Sequence, residues 1–257
     1  MRLNVLPLIC AMALYPLAAH ADDAVTLAYN LKAGMSSKYK TVAHVPIPGG
    51  GAGDVIATNV QTSIIKEIKP DGSVVVEVIS DEASFDMGTG PQPLPNPAPI
   101  TITYDKSGKL KELKGADESS TTFSPDVYQI LQMTGHILFP DHPVKSGDNW
   151  EALVDDPVVK GKKVTVKDTY SGSEIRDGKT VWKIEQDVTA PVSADGTILN
   201  SKVTAYLDPS SGDMIYEKSD ITNLPSVNYG MLNWKAKMVL LPPASTDDKK
   251  TDTPAKP

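Results

Sequence analysis

Apolar residues in this chain recur mostly at every second position, in short runs bounded by Gly, Pro and Asp. Val25, Leu27, Tyr29 and Leu31 fall on one face of residues 25–31, and Val74, Val76 and Val78 on one face of residues 73–79. Val164 and Val166 do the same in 162–170, as do Val203, Ala205 and Leu207 in 196–207. Alternation of this kind specifies half-buried β-strands. Further strands are expected at 38–45, 55–68, 100–104, 109–113, 180–189, 213–219 and 229–241. Between them, Lys69-Pro70-Asp71-Gly72, Asp105-Lys106-Ser107-Gly108, Arg176-Asp177-Gly178-Lys179 and Asp208-Pro209-Ser210-Ser211-Gly212 carry hairpin-turn residues. Residues 46–54 and the Gly/Pro-rich stretch 81–99 read as loops, and 115–122 as a polar linker.

One stretch breaks the period of two. Val127, Ile130, Leu131, Thr134 and Leu138 are spaced as one face of a helix. Ser124 suits the N-cap, Pro125 the first helical position, and Asp126 complements the helix dipole. Phe123 is placed to staple onto Tyr128. Gly135 marks a fraying end, and Pro140 and Pro143 forbid continuation, so a helix is expected over about 124–137.

This helix separates two halves, about 23–117 and 140–225, with the same order of turns. Gly34 and Gly147 open them, Asp71 and Asp177 mark their first hairpins, and Gly108 and Gly212 their second. The near-constant offset suggests duplication of one β-meander. Two meanders pairing edge to edge would form a curved sheet that must bury its concave face, and the helix is the obvious cover. The expected fold class is therefore mainly β: a large curved antiparallel sheet, or unclosed β-barrel, from two similar halves with one covering α-helix.

The N-terminus reads as an export leader. Arg2 precedes a mostly apolar run over 3–17, and Ala19-His20-Ala21 is a small-x-small cleavage site. The run is too short for a membrane span, so no transmembrane segment is expected after cleavage, and the expected location is periplasmic or secreted. Cys10, the only cysteine, would leave with the leader, so the mature chain has no disulfide and no thiolate metal site. The full chain carries a net charge of −7; cleavage removes only Arg2, leaving a charge near −8. Dispersed acidic charge argues against nucleic acid as a partner. Residues 242–257 have little to bury and are expected to be disordered.

The stretch from Pro140 to Trp150 (Pro-Asp-His-Pro-Val-Lys-Ser-Gly-Asp-Asn-Trp) and the Lys183-Ile184-Glu185-Gln186 strand after an Arg-Asp-Gly turn are similar to those of uncharacterised secreted bacterial proteins. The arrangement as a whole resembles the unclosed β-barrels of LolA-like and LppX-like periplasmic lipoprotein carriers. That resemblance implies a helix-capped curved sheet with an apolar cavity between.

Signatures of catalysis are scarce. His44, His136 and His142 lack metal-ligand spacing. The glycines of 49–53 lack the Lys-Ser/Thr ending of a phosphate loop. No Gly-x-Ser-x-Gly elbow occurs, and neither Asp81-Glu82 nor Asp155-Asp156 puts two carboxylates on one strand face. Asp141, His142 and Asp148 admit a hydrolase reading, although both acids also suit turns. No catalytic residue, cofactor or metal is expected. The expected function is an exported, non-enzymatic protein that binds a lipid-like ligand or an envelope partner. Its ligand-lining candidates are Val127, Ile130, Leu131, Thr134, Leu138 and Trp150. The alternative is a structural envelope protein reaching a partner through 91–99 and 245–257.

Overall fold

A computed structural model of the protein describes residues 23–46, 54–115 and 123–243. The expected leader with Cys10 and most of the expected tail lie outside them, as do most of the 46–54 loop and the 115–122 linker. The strands in chain order are β1 (Ser36–Pro46), β2 (Asp54–Ile68), β3 (Val74–Asp86), β4 (Gln92–Pro93), β5 (Ile100–Tyr104) and β6 (Leu110–Lys114). After helix α1 (Pro125–Met133) come β7 (Asn149–Asp155), β8 (Lys163–Arg176), β9 (Lys179–Pro191), β10 (Ile198–Leu207), β11 (Met214–Ser226) and β12 (Gly230–Leu240).

They form one twelve-stranded antiparallel sheet in the order β6-β5-β3-β2-β1-β12-β11-β10-β9-β8-β7, with β4 pairing onto β3. Each half is a meander, and the first and last strands of the chain join them. Along that joint Tyr39 lies opposite Leu240 and Ala43 opposite Ala236. The sheet ends at β6 and β7, which do not pair with each other, so among the described residues it is an unclosed barrel with one helix.

Local chemistry explains the turns. In the β8–β9 hairpin Asp177 and Gly178 both have positive φ, 49° and 77°, as a two-residue turn matched to strand twist demands. In the wider turns an Asp carboxylate accepts from backbone two residues on: Asp71 from Ser73 and Asp105 from Ser107, each at 2.9 Å, and Asp208 from Ser210 at 2.8 Å.

Several boundaries depart from expectation. Residues 25–31 form no strand. Val25 makes a single bridge to Val144, while Leu27 is buried, so the alternation reported burial without a ladder. Strand β3 runs on to Asp86 through part of the expected loop, and β8 and β11 extend beyond their expected ends. Helix α1 is shorter than expected. Ser124 accepts from the Val127 N–H as N-cap, but the C-cap Thr134 is already extended and Gly135 takes φ +81°. Phe123 lies beside the Trp234 ring, at 6.0 Å between centroids, and packs against the core there.

Helix α1 packs on the second half of the sheet. Val127, Ile130 and Met133 join Val154, Val164, Val166, Val188, Ala190, Leu199, Ile221 and Leu224 in one buried cluster. A second cluster gathers Leu27, Ile137, Val144, Tyr170, Trp182, Ile184 and Val203. Met133 and Leu138 line a small space together with Leu110 of β6 and Val154 of β7, the two edge strands that a closed barrel would pair.

Candidate functional site

The segment after α1 crosses the concave face with no strand beside it, so its backbone needs partners from side chains. Gln186 supplies two: its Oε1 accepts from the Gly135 N–H at 2.7 Å, and its Nε2 donates to the His136 carbonyl at 3.1 Å. Tyr29 donates to the Ile137 carbonyl at 2.9 Å, and the Trp150 indole donates to the Leu138 carbonyl. Gln186 and Trp150, both within motifs that stand out in the sequence, thus hold this segment in place as a roof.

Under the roof, over the first half of the sheet, lies a partly open cavity of about 590 Å3. Ile65, Val74, Val76, Val78 and Ile102 form an apolar wall on β2, β3 and β5. Thr41, Asn59, Gln61 and Ser63 run as a polar stripe across β1 and β2. Ser80 donates to Asn59 at 2.8 Å and Asn59 to Gln61 at 3.1 Å, so the Asn59 and Gln61 amides are engaged with neighbours. Met238, Trp234 and Ile221 continue the floor onto β12 and β11, and Leu131, Thr134 and His136 close the top. Exposed Ile68 and Lys106 mark the mouth.

Burial controls the titratable groups here. His136 stacks on Tyr104 with ring centroids 4.0 Å apart and on Tyr29 at 5.5 Å. Burial pulls its pKa down to about 4, so the ring is neutral, and its Nε2 has no hydrogen-bond partner among the described residues. Burial likewise pushes Tyr39 up to about 12 and raises Tyr29, Tyr104 and Tyr128. Three carboxylates line the same space, Asp105, Asp213 and Glu217. Burial raises Glu217 to about 7, although its surface reaches the cavity, and it also raises Asp213. Glu217 is seated against Gly135 so closely that a Cβ there would collide with the carboxylate.

A further acid lies outside the cavity. Asp168 is fully buried beneath the roof. Burial raises its pKa to about 7 against smaller lowering effects of Gln186, the Leu138 N–H and Trp150. These neighbours stand outside bonding geometry, and neither carboxylate oxygen has a hydrogen-bond partner among the described residues.

Of the six lining candidates, Leu131 and Thr134 face the cavity. Val127 and Ile130 point into the filled core against the second half of the sheet. Leu138 lines the small space shared with Leu110 and Val154, and Trp150 packs against the second cluster while holding the roof. Glu217 was signalled in the sequence only as an acid sharing a strand face with Ser219 and Ile221, both buried. Asp141, His142 and Asp148 are all exposed. His142 Nδ1 is 3.1 Å from Asp141 Oδ1, whereas Asp148 accepts from the Lys145 N–H at 2.8 Å within its own turn. Among the described residues no group of three or more metal-ligating side chains converges, and no helix is long and apolar enough to cross a membrane.

The chain matches no protein-family model and no curated protein. Among solved structures it is similar to a protein from Bacteroides fragilis, inferred to be exported and given a YmcC-like fold. That likeness has 9% identity, covers 84% of this chain and 98% of that one, and has a TM-score of 0.30. It is also similar to the hypothetical lipoprotein YmcC from Escherichia coli, at 12% identity over 79% of this chain and 87% of that one, with a TM-score of 0.25. Neither of these is described as a LolA-like or LppX-like carrier, and likenesses this faint carry no inference about activity.

Proposed function

We propose that this protein is an exported, non-enzymatic binding protein that holds an apolar, lipid-like ligand between its sheet and its helix. One observation carries the reading: a cavity of about 590 Å3 whose far wall is Ile65, Val74, Val76, Val78 and Ile102. Small-molecule sites occupy about 300–1,000 Å3, mostly apolar with a few placed polar groups. Protein interiors are otherwise close-packed, so a space of this size beside a filled core calls for an occupant. The leader pattern at Arg2 to Ala21 supports export and a periplasmic or secreted location.

The test is direct. Purified protein is extracted with organic solvent and the extract examined by mass spectrometry, and the stripped protein is titrated with a neutral environment-sensitive fluorophore. Co-purified lipid, or saturable binding of the fluorophore, is the expected result. An extract without lipid, together with a fluorophore that does not bind, would overturn the reading.

A further inference from the structure

The cavity has a chemical polarity that its volume alone does not reveal. Its acidic groups are Asp105, Asp213 and Glu217. Asp105 is occupied within its own turn, accepting from the Ser107 and Lys109 N–H groups. The basic groups on the wall are Lys106, exposed at the mouth, and His136, which is neutral. Among the described residues, Glu217 and Asp213 therefore face the interior with no cation on the wall other than Lys106, out at the mouth.

Glu217 stands in a second unfavourable field. Its carboxylate lies against Gly135, two residues past the end of α1, and the last turn of that helix holds no basic residue. The carbonyl end of a helix carries partial negative charge and favours cations. A carboxylate placed there, enclosed by protein with the Ser219 hydroxyl as its hydrogen-bond neighbour and no cation beside it, makes a pole of negative potential at the β11 side of the cavity. The valine wall on β3 stands four strands away, roughly 19 Å measured along the sheet. One end of the space is suited to a positive charge and the other to hydrocarbon.

We infer that the ligand is a single-chain amphiphile with a protonated amine head, seated with the head against Glu217 beside Gly135 and the chain along Val74, Val76 and Val78. This rests on the apolar-ligand reading and adds the chemistry of the head. The ammonium supplies the charge partner that the wall lacks, and it also faces the carbonyl end of α1. A carboxylate head in the same place would meet like charge from both.

Displacement of the bound neutral fluorophore at pH 8 tests the inference, using dodecylamine, dodecanol and dodecanoate as competitors of equal chain length. The amine is expected to displace at a concentration about tenfold or more below the alcohol, with the carboxylate weakest. In Glu217→Gln the advantage of the amine over the alcohol should disappear. Equal displacement by all three, or an amine preference that survives in Glu217→Gln, would overturn the head assignment and leave the apolar-ligand reading standing. A fluorophore that does not bind in the first place, or that none of the three displaces, would overturn that underlying reading.

Discussion

The two halves of the sheet share a connectivity and differ in what points inward. On β8, β9 and β10 the inward positions include Val164, Val166, Ile184, Val188, Leu199 and Val203, all nearly inaccessible; α1 clusters with Val164, Val166, Val188 and Leu199, and Leu27, Ile137 and Val144 cluster with Ile184 and Val203. On β1 and β2 the cavity-lining row holds Tyr39, Thr41, Asn59, Gln61, Ser63 and Ile65, and on β3 it holds Val74, Val76 and Val78. Helix α1 gives its apolar stripe to the second half and leaves the first half roofed but unfilled. The same meander thus makes a packed core on one side and a container on the other, and side-chain choice decides which. The Gln186 and Trp150 hydrogen bonds tie the roof to the second half of the sheet.

That contrast can be broken at several points. The largest effect is expected in the packed half. Ile130→Ala should lower stability by about 2–5 kcal/mol, read by urea unfolding, because the site is fully buried and leaves a void. A loss below about 1 kcal/mol would show that the helix is not part of the core.

Asp168→Asn comes next and depends on pH. The carboxyl has a folded pKa near 7 against an ordinary 3.8. Below pH 3.8 it is protonated in both the folded and unfolded states, and burial carries no charge penalty. Above pH 7 the folded protein must hold a buried anion. Stability therefore falls as pH rises between these values, by up to about 4 kcal/mol from this group. Asp168→Asn should flatten that fall and gain most at pH 8. Glu217 contributes in the same direction, so some slope should persist. Unfolding curves that fall equally steeply in variant and parent would refute the assignment.

Gly135→Ala should cost more than about 1 kcal/mol, since the backbone there has φ +81° and the new methyl meets the Glu217 carboxylate. It should also weaken amine binding, which fluorophore displacement measures. The smallest effect is expected on the valine wall. Val76→Ala removes atoms that face open space, so its loss should stay within about 0.5 kcal/mol, against about 2–5 kcal/mol for truncation in the packed half.

Much of the architecture was legible because strand alternation and turn chemistry are local. Val203, Ala205 and Leu207 announced a buried face, Asp177-Gly178 announced a hairpin, and Ser124-Pro125-Asp126 announced where the helix starts. Where the helix stops was less legible, because Thr134 turns extended to let the next residues bond with Gln186, a partner about fifty positions away in the chain. Residues 25–31 misled for a related reason: burial of every second side chain does not require a neighbouring strand. The site was the least legible part. The stripe on α1 was visible, but which residues of it meet space depends on how far the sheet curls, which no local pattern records. Leu131 and Thr134 face the cavity and Val127 and Ile130 the core, although all four share one helical face. Glu217 looked like any acid in a strand until Gly135 was placed against it.

The most direct test of the container itself is Val76→Trp, made in the full chain and measured for both unfolding and fluorophore binding. A large side chain added at this wall should enter the empty space, leaving stability unchanged or raised while binding is lost. Destabilisation by about 1–3 kcal/mol, as overpacking a filled core produces, or binding equal to that of the parent, would contradict the cavity on which the proposed function depends.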